Sequence, residues 1–503
     1  MWLMGVDVGT TGVKAAVFDL GGNMTAYDFR EYAVICDEPG YAQQDAELVW
    51  KYTGEVITSA ASVVSGEIGA ISLSAQGDAV IPVDRQGKAL CFAQLGMDYR
   101  AVDETAEITR LLGEKNLFER TGMRPHPLNS LVKMMWFDRH MPRLREKLWK
   151  YMTYADFILS KLGSDGPVID FTMASRTMCY DLRLNAWASD ILTAAGIDRA
   201  LLSDPVPSGA VVGNLRPELC KTFGICPGAK IVAGGHDQTC AAMGAGVIRE
   251  NSALDSHGTA EVLSAALSHI RVDSGMYENF YPCYRHAAPD MYFTFALNHT
   301  AGILLKWYRD NLGLAEVAEA EKTGERPFER IVRMAPSGPS PLLVLPHFNG
   351  SGTPTCDTNS KGAVLGLTMS STRHDIAKGI MDSTAFELRN NIETMKSIGI
   401  HIQRLLCVGG GARSPIDLQL KADVTGLRVA TLKVREAACL GAAILAGLGA
   451  GAYSDAGEAA SIIKTDQIYD PDIKTHERYN EKYDVYKSLY ETLKATNIKI
   501  KRW

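Results

Sequence analysis

No two of the ten cysteines in this 503-residue chain are spaced as Cys-x-x-Cys, and no histidine cluster accompanies them. That absence excludes a zinc or dithiol redox motif legible in sequence. Scattered cysteines suit a cytoplasmic protein, in which they pack as small apolar groups. Positive charge is not in excess either. The 52 Lys and Arg face 58 Asp and Glu, for a net charge of −6, which argues against a general nucleic-acid binder. Anionic ligands stay open, because glycine turns and helix N-termini hold phosphate inside acidic proteins. No apolar run approaches the roughly 20 residues of a membrane span. The longest, Leu440 to Ala452, is short and glycine-rich, and it predicts a buried helix. Met1 to Val8 shows no basic n-region and no cleavage site, so no signal peptide is expected. What remains is an ordinary balance of 46% hydrophobic and 22% charged residues. Over this length it predicts two or three domains whose cores need no disulfide or metal staple.

The first positive signal is a glycine–threonine turn. Met4-Gly5-Val6-Asp7-Val8-Gly9-Thr10-Thr11-Gly12-Val13-Lys14 runs on to Asp19 as two β-type segments around that turn. Gly21-Gly22-Asn23 marks a second turn, so a hairpin and a third strand over Met24 to Phe29 are predicted. A related pattern recurs 248 residues later as Leu254-Asp255-Ser256-His257-Gly258-Thr259-Ala260-Glu261, with one extra residue between Asp255 and Gly258. Recurrence at about half the chain predicts two similar domains rather than a solenoid. A second pair of units agrees: Lys230 to Gln238 and Arg404 to Pro415 each read as a strand, a glycine turn and a helix start. The predicted boundary lies near Val247 to Asn251, giving domains 1–247 and 248–503. Helices are predicted over Asp375 to Ile392, Ile416 to Val424 and Glu436 to Leu448. Tyr479, Tyr483, Tyr486 and Tyr490 make one aromatic stripe on a polar C-terminal helix over Pro471 to Lys494.

Three of these segments carry chemistry. A glycine-rich hairpin turn lets backbone N–H groups approach phosphate, the hydroxyls of Thr10 and Thr11 add donors, and Asp7 at the strand end suits Mg²⁺. Asp255, Gly258 and Thr259 pair with it as a second phosphate turn. Gly234-Gly235-His236-Asp237-Gln238 places Asp237 at a helix N-terminus, where the positive helix end favours an ionised carboxylate able to accept a proton from a hydroxyl. Gly409-Gly410-Gly411-Ala412-Arg413-Ser414 lacks the GxGxxG dinucleotide spacing, but its small residues leave room for an adenine ring. His257, His299, His347 and His374 read as structural, and Lys133-Met134-Met135-Trp136 reads as a core helix segment.

The chain resembles the FGGY carbohydrate kinases, most closely their xylulokinase-like branch. The likeness rests on Asp7 to Lys14, Gly40-Tyr41-Ala42-Gln43-Gln44-Asp45, Ser74-Ala75-Gln76-Gly77-Asp78, Asp98-Tyr99-Arg100, Gly235 to Gln238, Gly258-Thr259, Gly350-Ser351-Gly352-Thr353-Pro354 and Gly409 to Ser414. The resemblance implies an α/β, duplicated actin-like (ribonuclease H-like) fold, with ATP and Mg²⁺ in the cleft between two domains. It implies that Asp237 is the catalytic base and that Gln76, Gly77, Asp78 and Asp98 contact the sugar. Thr10, Thr11 and Gly12 would face the transferred phosphate, with Lys14 nearby and Asp7 near the metal. Gly258 and Thr259 would hold nucleotide phosphates, and Gly302, Gly411 and Ala412 would line the nucleotide pocket. A homodimer is also implied.

Three positions depart from the usual pattern. Gln76-Gly77-Asp78 stands where many relatives carry Gln-Met-His, Gly96 replaces a Trp, and Gln43 replaces an acid. The expected activity is ATP-dependent phosphorylation of a small sugar, a ketopentose such as xylulose. A polyol kinase of glycerol or erythritol type and an actin-like ATPase switch without sugar transfer are the alternatives.

Overall fold

The computed structural model describes residues 1–500. The first sheet begins with an antiparallel meander, β1 (Trp2–Val8), β2 (Gly12–Phe18) and β3 (Met24–Glu31). Strand β4 (Ile68–Ala75) joins parallel to β1, and β5 (Lys230–His236) joins parallel to β4. The second sheet repeats the plan. β6 (Asn251–His257), β7 (Glu261–Leu267) and β8 (Tyr292–Asn298) form the meander, then β9 (Ile402–Val408) and β10 (Arg428–Leu432) add in parallel. Edge strands extend both sheets: Val211–Asn214 on the first, and Tyr284–Arg285 and Thr465–Tyr469 on the second. Both halves thus have the same central strand order, the duplicated α/β topology expected of an actin-like fold.

Seven helices position the site: α1 (Ser130–His140), α2 (Phe171–Arg176), α3 (Asp237–Gly244), α4 (Gly302–Asn311), α5 (Arg373–Ser397), α6 (Pro415–Thr425) and α7 (Ala437–Ala450). Pro415 occupies the first turn of α6, where its missing N–H is not needed. Strand alternation sorts β1. Met4, Val6 and Val8 join the main core, whereas Leu3 packs with Phe18, Val232, Cys240 and the apolar side of α7.

Helix α7 follows β10 of the second sheet in sequence yet lies on the first sheet. Its glycine-rich run, which predicted a buried helix, permits backbone-to-backbone packing. A Cβ on Gly441 would fall 1.8 Å from the Cys240 carbonyl oxygen of α3, and one on Gly244 2.0 Å from that of Ala437. Gly5 of β1 meets the Cys439 carbonyl in the same way, at 1.8 Å. The polar C-terminal segment folds as two helices, Ile473–Tyr486 and Leu489–Ile500, not as one. Three of its tyrosines still form a stripe: Tyr479, Tyr483 and Tyr486 stand 6.0, 5.6 and 4.9 Å from the Phe386 ring of α5. No helix among the described residues is long and apolar enough to cross a membrane.

Candidate active site

Asp7 lies on the same face of β1 as Leu3 and Gly5, one step beyond the cover of α7, and is 8% exposed. Ser74 Oγ donates to its Oδ1 at 2.7 Å, and Lys14 Nζ lies 3.8 Å from its Oδ2. Burial raises its pKa, with Lys14 and Ser74 opposing. Lys14 is held more tightly by the other half of the molecule, at 2.9 Å from Glu436, the residue preceding α7. Burial opposes its charge, but the Asp7 and Glu436 carboxylates hold its pKa above the ordinary lysine value. The turn between β1 and β2 exposes Thr11, and Thr10 Oγ1 donates to Gln76 Oε1 at 3.2 Å. Gln76 in turn reaches Gly9 O at 3.2 Å and Gln44 Oε1 at 3.1 Å. The glycine–threonine turn and the loop that carries Gln76 are therefore one hydrogen-bonded unit.

Asp237 begins α3. The ladder between β4 and β5 shifts register between Val232 and Gly235, and Gly234 packs so closely that a Cβ would lie 1.5 Å from the Leu73 carbonyl oxygen. This glycine irregularity re-aims the strand end that carries His236 and Asp237. The Asp237 side chain keeps 33% exposure. Its Oδ1 accepts the Gln238 N–H at 2.6 Å and lies 3.1 Å from His236 Nε2. The helix end does not keep it fully ionised, contrary to the expectation from sequence. Burial and then the charge of Asp7 raise its pKa to about 7, outweighing Arg176 and the Gln238 N–H. A carboxylate poised there suits a general base. His236 is kept neutral by burial and by Arg176.

Gly77 and Asp78 share a wall with this pair. A Cβ on Gly77 would lie 2.8 Å from His236 Nε2 and 2.9 Å from Arg176 Nε. Asp78 forms an ion pair with Arg176, and both residues are 5% exposed. Asp98 stands apart. It is fully buried, and its carboxylate accepts from the Ala42 N–H at 2.7 Å and from Arg100 Nη2 at 2.6 Å. As folded, it organises the loop rather than presenting oxygens to a ligand. Lys133, in the segment read as core, donates to the Asp78 and Leu128 carbonyls at 2.9 and 2.6 Å. Burial lowers its pKa to about 7 against the pull of Asp78 and Asp98.

In the second half, Gly258, Gly302 and Gly411 converge on His257. The Gly302 N–H donates to Gly258 O at 3.1 Å, and a Cβ on Gly411 would meet the His257 ring at 2.5 Å. Ala412 follows in a short 3-10 turn, Gly411–Arg413, while Gly258 and Thr259 are exposed at the tip of their hairpin. A pocket between α4, α5 and α6 is lined by His257, Gly302, Leu305, Met381, Asp417 and Lys421. Asp255 departs from expectation. The extra residue before Gly258 places Ser256, not Asp255, two positions ahead of the turn, where Asp7 stands ahead of Gly9. Asp255 therefore points to the opposite sheet face. There it is fully buried in an ion pair with Lys421, whose Nζ is also 2.8 Å from Glu261. Arg176, Glu436 and Lys421 carried no sequence signal, since each matters through a partner distant in the chain; Lys133 did, as a charge inside an apolar helical run.

A carboxylate poised beside the Gly77–Asp78 loop, with a glycine–threonine turn repeated across two like sheets, is the arrangement that the resemblance in sequence implies. The family models for the N-terminal and C-terminal domains of the FGGY family of carbohydrate kinases match residues 2–244 and 256–450. This chain belongs to the FGGY family of carbohydrate kinases. It is a sugar kinase. It is 27% identical to the xylulose kinase of Bacillus subtilis (strain 168) over 99% of both chains. It is also 27% identical to the glycerol kinase of Streptococcus uberis over 99% of this chain and 98% of that one. Among solved structures, the ligand-bound xylulose kinase from Lactobacillus acidophilus superposes with a TM-score of 0.89 at 24% identity, covering 99% of each chain.

Proposed function

We propose that this kinase transfers the terminal phosphoryl group of ATP to a hydroxyl of a ketopentose such as xylulose, with Asp237 as the base. Residues 1–247 hold the sugar and the base, and residues 248–503 hold the nucleotide. The observation that carries the reading is Asp237 itself: one-third exposed, held by His236 and Gln238, on the wall that Asp78 and Arg176 complete. A xylulose kinase stands among both the curated relatives and the solved structures, which supports the ketopentose first, and the glycerol kinase supports a polyol second.

Phosphoryl transfer asks for alignment and charge neutralisation more than for covalent chemistry. Thr10, Thr11 and Gly12 face the transferred phosphate, with Lys14 beside them. Gly258 and Thr259 hold the nucleotide phosphates, and Gly302, Gly411 and Ala412 border the adenosine. Gln76 couples the phosphate turn to the sugar loop, and Asp237 takes the hydroxyl proton. Asp7 suits a Mg²⁺ ion delivered with ATP. It is a buried carboxylate that raises the pKa of Asp237, and no set of three or more ligating side chains clusters among the described residues. That fits a cation that keeps waters and substrate phosphates as most of its ligands. Once bound, it screens phosphate charge. All ten cysteines are free, in keeping with a cytoplasmic enzyme.

The test is a phosphorylation screen over ketopentoses, ketohexoses and C3 to C6 polyols, with product regiochemistry read by NMR. Asp237→Asn is expected to lower kcat by about 10²- to 10⁴-fold, with nucleotide affinity by calorimetry unchanged. Near-normal turnover in that variant would remove Asp237 from the mechanism. ATP hydrolysis that no sugar or polyol stimulates would favour the ATPase switch.

A further inference from the structure

We infer that Arg176, which the sequence did not mark, is a specificity-determining contact: with Asp78 it forms a clamp for a hydroxyl of an uncharged substrate. The inference rests on the kinase reading above and names its substrate class.

Arg176 ends helix α2 and is 5% exposed. Its Nη2 is engaged by Asp78 Oδ2. Its Nε and Nη1 are buried without a partner, and so is Asp78 Oδ1. Buried charged groups with open donors and acceptors are rare, because each unmade hydrogen bond forfeits solvation. Two donors and one acceptor on a single ion pair are complementary to hydroxyls, each of which both gives and takes a hydrogen bond. A substrate hydroxyl can donate to Asp78 Oδ1 while accepting from one of the open guanidinium N–H groups.

The pair is held ready for this role. Asp78 has a left-handed backbone, φ 65°, a conformation that persists in a non-glycine residue only when its surroundings impose it. Buried Lys133 supplies that constraint through the Asp78 carbonyl at 2.9 Å. The Arg176 guanidinium lies 5.1 Å from the Tyr284 ring and 5.7 Å from the Phe295 ring, both in the second half of the chain. Gly77 is required by the same arrangement, since a Cβ there would lie 2.9 Å from Arg176 Nε. The clamp adjoins the base. The point at Gly77 that approaches Arg176 also lies 2.8 Å from His236 Nε2, which is 3.1 Å from Asp237.

Charge sets the substrate class. Arg176 is already neutralised by Asp78, and Asp7 and Asp237 stand nearby. Lys14 is held by Asp7 and Glu436, and Lys133 is fully buried against two backbone carbonyls, so neither is free to meet a substrate carboxylate and an aldonate is disfavoured against the matching ketose or polyol.

The experiment compares kcat/KM for xylulose, its 3-deoxy and 4-deoxy analogues and xylonate, in the wild type, Arg176→Met and Arg176→Lys. The wild type is expected to prefer xylulose over at least one deoxy analogue by about 10- to 100-fold, and to leave xylonate essentially unphosphorylated. Arg176→Met is expected to lose a similar factor on xylulose and to treat parent and analogue alike. Arg176→Lys, which keeps the charge opposite Asp78 but not the fork, is expected to lose most of the discrimination too. Thermal melting and nucleotide affinity check that the fold survives. If Arg176→Met does not fold, the wild-type and Arg176→Lys arms still decide. Variants that discriminate as the wild type does, or a wild type that phosphorylates xylonate as readily as xylulose, would overturn the clamp and leave the kinase reading standing. A wild type that phosphorylates no sugar or polyol in the wider screen would overturn the kinase reading, and the clamp with it.

Discussion

Asp7 and Asp255 stand near the ends of the leading strands of two like sheets, each just ahead of a glycine–threonine turn. Asp7 keeps 8% exposure, whereas Asp255 has none. The lysine nearest Asp7 lies 3.8 Å away with its side chain 32% exposed. The one that meets Asp255 is 5% exposed and is shared with Glu261. One inserted residue separates the two outcomes, because side chains alternate along a strand and a single step reverses the face. Duplication supplies the scaffold twice; the count of residues before the turn decides whether its acid keeps some exposure or pairs inside the core.

Substitutions can break this contrast. The largest expected effect is from Lys421→Met, which strands the Asp255 and Glu261 carboxylates in the core. A loss of about 3–5 kcal/mol is expected in urea unfolding, while the corresponding Lys14→Met, on a partly exposed pair, shifts stability by no more than about 1 kcal/mol. Equal losses would erase the distinction. Next, Asp7→Asn should reduce kcat about 100-fold or more with melting unchanged or raised, and Asp255→Asn should lower melting instead. Gly441→Ala forces a Cβ to within 1.8 Å of the Cys240 carbonyl and is expected to destabilise by about 1–3 kcal/mol, read as a lower urea midpoint. An effect that varies with pH sharpens the account of the base. With a folded pKa raised to about 7 against an unfolded value near 3.8, Asp237 opposes folding as pH rises through that window. Asp237→Asn should therefore melt above the wild type at pH 8, with the gap narrowing toward pH 5; a gap independent of pH would refute the raised value.

The meanders, both glycine–threonine turns and the helix starts at Asp237 and Pro415 were legible because each rests on local chemistry: alternation, turn glycines and a proline in a first helical turn. The place of Asp237 at a helix start was legible, but not its charge state, which burial and Asp7 set against the helix end. Asp255 was misread because a motif compares residue types while a sheet counts parity. Asp98 looked like a sugar contact, but Arg100 and the Ala42 N–H already occupy it. Arg176 and Glu436 were invisible, since their partners lie at Asp78 and Lys14, far along the chain. The C-terminal tyrosines predicted a stripe correctly; the break between the two helices that carry it left no such mark.

Helix α7 has a bearing on synthesis. The sheet it covers is complete once β5 has emerged, yet the helix follows roughly two hundred residues later. At ribosomal rates of about 5–20 residues per second, one apolar face of the nascent first half stays bare for about 10 to 40 seconds. During that interval Leu3, Phe18 and Val232 have no covering from α7, so the growing chain is an expected client for chaperones that shield hydrophobic surface. A truncated first half, ending before α7, should be recovered mainly as aggregate.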